Sequence, residues 1–477
     1  MTNKKYIIGI DEGSQSAKIL IFDLEGNIVC EGKQDLRPYD LPRPGIVEHP
    51  DDDWWDAICV AGKQAMASFK GDPADIIGVG LCTIRYCRAF LKADGSLAQP
   101  ALSWMDVRVS QAYQHVNAEV KYVTASSGYI SHRLTGQFKD TVANYQGMWP
   151  IDTDQWQWLA DGSAFDSIGI PREMLFELVM PGDILGHVTA EAAAATGIPI
   201  GLPVVATAND KAVEALGVGC SGTESALISL GTYIAAMAEG YDNPKNTVNF
   251  WTNFASKPHS YLYESFGIRR GMWTVSWFKD ILGESYEEMA KTKGMTAEEY
   301  LSLEAAQAPA GCDGLMTILD WLAPTDKLYK KGLMIGFDGR HKRAHMYRSI
   351  LEAIAMTMKL RVDEMCAELE MTLKEIIVSG GGSNSDLFMQ IFADVFGIPA
   401  KRNVVNGAAG LGAAICAAVA VNAFKDFDEA VEKMVKVKDV FTPNPENSQM
   451  YGQLTEIYKD ITNHTDPILQ KTYELFN

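Results

Sequence analysis

The chain has 477 residues, 47% apolar and 22% charged, the make-up of a globular protein with about two or three domains and not of a fibrous or disordered one. Its 42 lysines and arginines against 61 aspartates and glutamates leave a net charge of −19, which opposes binding to nucleic acid or to an anionic membrane surface. Eight scattered cysteines with no CxxC pair read as reduced thiols of a cytoplasmic protein. The start MTNKKYIIGIDEG is too polar for a secretory leader, and the longest small-apolar run, 407–421, is shorter than the ~20 residues of a membrane span.

Apolar runs at 6–11 and 18–23 flank the polar turn Glu12-Gly13-Ser14-Gln15-Ser16, and 27–32 adds a third run. The chain therefore opens as a β-meander with Asp11 ending its first strand. Aspartates ahead of a helical apolar pattern predict a capped helix within 49–69, a buried strand follows at 76–82, and Asp94-Gly95 marks a hairpin inside 89–104. Strands alternating with helices predict an α/β fold. A strand at 203–207 leads through Asp210 into a helix over 211–218, and the Gly/Ser/Thr stretch 219–225 marks a boundary between domains 1–218 and 219–477. ALISLGTYIAAMAEG (226–240) again reads strand, Gly-Thr turn, strand, so the two halves look like a duplicated domain. A long helix from about His345 comes next, then strand, glycine turn and helix over 375–397. An Ala/Gly helix within 407–421 is suited to packing closely on another element, and the last ~50 residues read as peripheral helices without strands.

Three turns carry phosphate-binding chemistry. In VSGGGSNS three glycines end a strand and a serine opens a helix, so bare backbone and a helix N-terminus face a ligand, as a nucleotide requires; no Walker loop and no GxGxxG occurs. SLGTY (229–233) and DEGSQS (11–16) present turn amides and hydroxyls; each alone is an ordinary hairpin turn, and together with the glycine run they form a cradle. Asp11 beside such a cradle has the wrong sign for phosphate unless a cation lies between, which implies Mg²⁺ held through waters. Asp210 reads either as a helix N-cap, which local sequence favours, or as a general base toward a hydroxyl. Arg85, Trp104, Asp106 and Arg108 suit polyol recognition, with surface ion pairs as the plain alternative. His341 and His345 have metal-pair spacing, but the basic residues around them read as a turn and helix start, and Trp54-Trp55 reads as packing.

The set Asp11-x-Gly13, WMDVR, Asp210, SLGTY, KGLMIGFDG…His345…RSILEAIA and VSGGGSNSDLFMQIFADVFGIPA resembles the FGGY carbohydrate kinases, in order over nearly the whole chain to about residue 420. The resemblance implies two ribonuclease H-like, actin-type domains around a cleft, with sugar on the N-terminal and ATP on the C-terminal domain. It makes Asp210 the catalytic base and Asp11 the metal residue. Gly13, Ser14 and Gln15 would face the transferring phosphoryl group, and Gly231 and Thr232 the β/γ-phosphates with Gly332 and Gly336 nearby. Gly381, Gly382 and Asn384 would border the adenosine, and Trp104, Asp106 and Arg85 would shape the sugar site. In Ile84-Arg85-Tyr86, Arg85 fits the glycerol kinase pattern and Tyr86 fits neither that nor the xylulokinase pattern, and Tyr86 too would border the sugar. Lys211 stands where Gln or Asn is usual, a cation that would lower the pKa of the base and hold the departing charge or would contact an acidic sugar, and the segment after Arg108 is short. The expectation is an ATP- and Mg²⁺-dependent kinase of a ketopentose-like sugar. The alternatives are glycerol, another polyol or a sugar acid as acceptor, or a sensing homologue impaired in catalysis. A homodimer is the default assembly.

Overall fold

The computed structural model describes residues 4–147, 149–324, 326–405 and 407–476. The opening meander forms as expected: β1 (Tyr6–Glu12), β2 (Ser16–Asp23) and β3 (Ile28–Asp35) are successive antiparallel neighbours. Helix α1 (Asp53–Ser68) packs over them, with Trp54 and Trp55 buried. Its aspartates do not cap it. Asp52 is drawn to Tyr129 and Arg133, and Asp53 accepts from Arg37 N and Nε at 3.1 and 2.9 Å, so the expected cap is replaced by tertiary pairs.

The sheet continues with β4 (Ile76–Thr83), β5 (Ile184–His187) and β6 (Pro203–Asn209) in the order β5-β6-β4-β1-β2-β3, and β1, β4 and β6 run parallel. Their carboxyl ends are in register, with Glu12 opposite Thr83 and Asn209 opposite Thr83 on its other side. Between β4 and β5 an aromatic-rich excursion buries Tyr145, Trp149, Trp156 and Trp158. Helix α2 (Asp210–Gly217) follows β6 directly.

A second sheet repeats the scheme. Strands β7 (Ser225–Leu230), β8 (Ile234–Gly240), β9 (Phe250–Phe254) and β10 (Tyr261–Ser265) are antiparallel, and β11 (Glu375–Ser379) and β12 (Ala400–Asn403) extend the sheet parallel to β7. The last fifty residues are not purely helical. VKDVF forms β13 (Val437–Phe441), an edge strand antiparallel to β12, whose mixed polarity hid it from the sequence pattern. The strand order is β9-β10-β8-β7-β11-β12-β13. Helices of this half include α3 (Gly271–Leu282), α4 (Arg343–Leu369), α5 (Asp386–Phe396) and α6 (Ala409–Ala420).

The Ala/Gly helix α6 is as closely packed as its composition predicts, but its partner is the first sheet. A Cβ on Gly9 would strike the Gly410 carbonyl, and one on Gly80 the Ala413 carbonyl, so only glycines let β1 and β4 approach this helix. Helix α6 also packs along α2, joining the two halves below the cleft. All eight cysteines are free thiols, and no described helix is long and apolar enough to cross a membrane.

Candidate active site

Parallel strands direct their carboxyl ends to one edge of a sheet, where open α/β folds hold ligands. In the first sheet that edge carries Asp11 and Glu12 from β1, Arg85 just past β4, and Asp210 just past β6. In the second it carries Ser229 of β7 opposite Ser379 of β11, then Gly231 and the glycines 380–382. Two contacts join the edges. Arg85 Nη1 and Nη2 donate to Glu264 Oε2 and Oε1 of β10 at 2.6 and 2.7 Å, and Lys211 Nζ donates to Ser229 Oγ at 2.8 Å.

Asp210 is not the helix cap. Asn209 Oδ1 accepts from Lys211 N and Ala212 N at 3.1 and 3.2 Å, which places Asp210 at the first helical position with its side chain released from that task. Its Oδ1 is buried without a hydrogen-bond partner among the described residues, and Arg85 Nε lies 3.8 Å away. Burial lifts this carboxyl above its ordinary range, while Arg85 and Lys211 hold it down in part. Asp11 is pushed up to about 6 by burial, with Lys18 opposing and Asp210 and Glu214 adding. Glu12, fully buried beside it with neither oxygen bonded, is pushed well above the carboxylate range. Excess negative charge at this edge suits a bound cation. The Asp11 carboxylate fits a Mg²⁺ that keeps most of its waters, and among the described residues no group of three His, Cys, Asp or Glu side chains is placed to hold a metal ion.

The turn at Gly13, Ser14 and Gln15 is held by Gly13 N donating to Ser16 O at 3.0 Å and Tyr39 Oη to Ser14 O at 3.0 Å. Gly231 and Thr232 offer their carbonyls to Met272 N and Gly271 N at 3.2 and 2.8 Å, fixing the start of α3 beside the turn. The glycine run lies against the same turn: Gly380 has φ 93°, and a Cβ there would meet the Leu230 carbonyl. Residues Gly381–Asn384 form a short 3₁₀ turn braced by Arg402, whose Nη1 donates to Ser383 O and Asn384 O at 2.9 and 3.2 Å. Gly332 and Gly336 flank a short ribbon strand, Leu333–Ile335, where Trp321 and the Gly314 carbonyl leave no space for a side chain.

The sugar-side expectations divide. Tyr86 and Trp104 are exposed walls of a cavity of about 170 Å³, and Tyr86 holds φ 64°, a strained conformation for a tyrosine. Asp106 has another task. Its oxygens accept from Val47 N, Arg108 N, Arg108 Nε and Arg108 Nη2 between 2.7 and 2.9 Å, so it braces the loop it was expected to lend to a sugar. Lys211 Nζ donates to Glu214 Oε2 and Ser229 Oγ at 3.1 and 2.8 Å. Glu264 escaped the sequence reading; its one local signal is a glutamate inside the apolar strand YLYES. His341 Nδ1 accepts from Asp338 N at 2.8 Å and its Nε2 donates to Cys312 O at 3.0 Å, in keeping with a turn.

The N-terminal domain model of the FGGY family of carbohydrate kinases matches residues 6–122 and 109–217, and the C-terminal model of the same family matches 226–421. The chain belongs to the FGGY family: it is an ATP-using sugar kinase with an alcohol acceptor, on the two-domain actin-like α/β fold. It is 53% identical over 476 residues to a protein of Escherichia coli strain K12 named uncharacterized sugar kinase YgcE, covering 100% of this chain and 97% of that one. A xylulose kinase of Lactococcus lactis subsp. lactis strain IL1403 is 25% identical over 514 residues, covering 98% and 99%. The crystal structure of xylulose kinase from Rhodospirillum rubrum shares the fold at TM-score 0.83 and 22% identity, over 98% of this chain and 100% of that one.

Proposed function

We propose that this chain transfers the γ-phosphoryl group of ATP to a terminal hydroxyl of an open-chain sugar, with Asp210 as general base and Mg²⁺ at Asp11. The starting point for the acceptor is a ketopentose-like chain, as the Lactococcus relative's name suggests. Residues 1–218 would hold the acceptor and 219–477 the nucleotide. Gly13, Ser14, Gln15, Gly231 and Thr232 would line the phosphates and Gly381, Gly382 and Asn384 the adenosine; Arg85, Tyr86 and Trp104 would border the sugar.

The observation that carries this reading is the freedom of Asp210. An aspartate at the carboxyl end of a parallel strand, relieved of capping by Asn209, keeps an unpartnered oxygen between the two lobes. As the acceptor oxygen bonds to the γ-phosphorus, its proton passes to Asp210 Oδ1 and the bond to the bridging oxygen breaks, releasing ADP. Arg85, pinned by Glu264, stays beside that carboxylate and favours its ionised form. When bound, Mg²⁺ neutralises phosphate oxygens that Asp11 would otherwise repel. The raised Asp210 carboxyl predicts loss of turnover on the acid side as the base becomes protonated. Acceptor-dependent ADP release, measured with ATP and Mg²⁺ over pentuloses, polyols and sugar acids and abolished by EDTA, is the expected result. ADP release indifferent to every acceptor would overturn the reading.

A further inference from the structure

Besides Tyr86 and Trp104, the cavity is lined by Arg88, Gln146, Trp149 and Ser110. Arg88 is 4% exposed and the sole charged group among the described lining residues. Its Nη2 donates to Val109 O at 3.0 Å and its Nη1 to Gln111 O at 3.5 Å, and its guanidinium lies 5.3 Å from the Trp149 ring centre. Its Nε finds no partner among the described residues, nor does Gln146 Oε1. Three neighbouring cations are each matched by acids: Arg85 by Glu264, Arg108 by Asp106 and Glu48, and Lys211 by Glu214. Arg88 has no carboxylate within ion-pair distance among the described residues, and burial pulls its pKa down to about 10 with only Tyr113 opposing. A buried guanidinium without a counter-charge is costly to keep, and a ligand that brings the charge relieves it. The cavity also begins beside the reacting end of the cleft. Tyr86 lines it, the Arg85 guanidinium is 5.1 Å from the Tyr86 ring centre, and Arg85 Nε is 3.8 Å from Asp210.

Resting on the kinase reading, but replacing its neutral ketopentose-like acceptor, we infer that the acceptor is a sugar acid, whose carboxylate pairs with Arg88 in the cavity while a hydroxyl at its other end faces Asp210. Arg85, being held by Glu264, is not the anion reader. Tyr86 and Trp104 pack the carbon chain between the two ends.

The test uses the full chain with ATP and Mg²⁺ on matched five- and six-carbon probes: xylonate and gluconate against xylulose, xylitol and fructose. The acids are expected to show the higher kcat/KM by about 30-fold or more, the scale of a hydrogen-bonded charge pair. Arg88→Gln should raise KM for the preferred acid by more than it raises KM for the neutral sugars, so that the acid-to-neutral ratio of kcat/KM falls by about 30-fold, with Arg88→Lys recovering part of that ratio. A merely structural arginine would weaken both classes alike, so the acid-to-neutral ratio is the deciding readout. Wild-type turnover of neutral sugars at equal or better kcat/KM, or an unchanged ratio in both Arg88 variants, overturns this inference and leaves the kinase standing. ADP release with none of the probes overturns both.

Discussion

At the carboxyl ends of their parallel strands the two lobes share a topology and differ in chemistry. The first presents Asp11, Glu12, Arg85 and Asp210; the second presents Ser229, Gly231 and the glycines 380–382. Charged side chains suit the end where a proton moves and a cation sits. Bare backbone suits the end where a polyphosphate must be approached closely without adding charge. Glu264 and Lys211 cross between the two and tie the charged edge of one sheet to the neutral edge of the other.

Breaking the tie should have the largest effect on stability. Glu264→Gln takes from the half-buried Arg85 its bidentate acid and leaves only Asp210 at 3.8 Å, a loss of about 3 kcal/mol in denaturant unfolding. Because Glu264 raises the Asp210 pKa, its removal should also move the acid limb of kcat to lower pH. An unmoved limb would mean that Asp210 does not govern it.

The charged end also rests on a buried histidine. His49 packs against Tyr39 and Trp54 at ring distances of 4.9 and 4.5 Å, neither of its nitrogens has a hydrogen-bond partner among the described residues, and burial pulls its pKa from 6.5 to about 4. The unfolded chain binds this proton first. The stability present above pH 6.5 is therefore lost as pH falls toward 4, by about 3 kcal/mol. His49→Phe should remove that part of the acid sensitivity, seen as a smaller difference between unfolding free energies at pH 7 and pH 4.

At the neutral end, Gly380→Ala adds a Cβ at φ 93° against the Leu230 carbonyl. It should cost about 1–3 kcal/mol and raise KM for ATP while leaving KM for the acceptor unchanged. Equal changes in both constants would contradict the division of labour. The smallest effect separates two neighbours: Asn209→Ala should lose the cap, about 1 kcal/mol, whereas Asp210→Ala should keep full stability, since Asp210 caps nothing.

Local patterns made the meander, the strand–turn–strand repeat and the glycine turn readable, because alternation and turn chemistry are written in consecutive residues. What stayed hidden depends on distant partners. Asn209 and Asp210 are both good caps, and only the backbone path past β6 assigns the task. Glu264 meets Arg85 across 179 positions. Helix α6 was recognisable as a close-packing helix, but its glycine partners on β1 and β4 belong to the other half of the chain. Asp106 kept its place in the WMDVR motif, yet its geometry assigns it to Val47 and Arg108.

The central claim is that Asp210 is free of structural duty and takes the acceptor's proton. It is tested most directly by kcat and the unfolding midpoint of Asp210→Asn, measured on the same preparation with the best acceptor of the panel. The account predicts a fall in kcat of at least about 100-fold with acceptor binding and midpoint essentially retained. Near-normal turnover, or a loss of activity that merely follows a loss of stability, would contradict it.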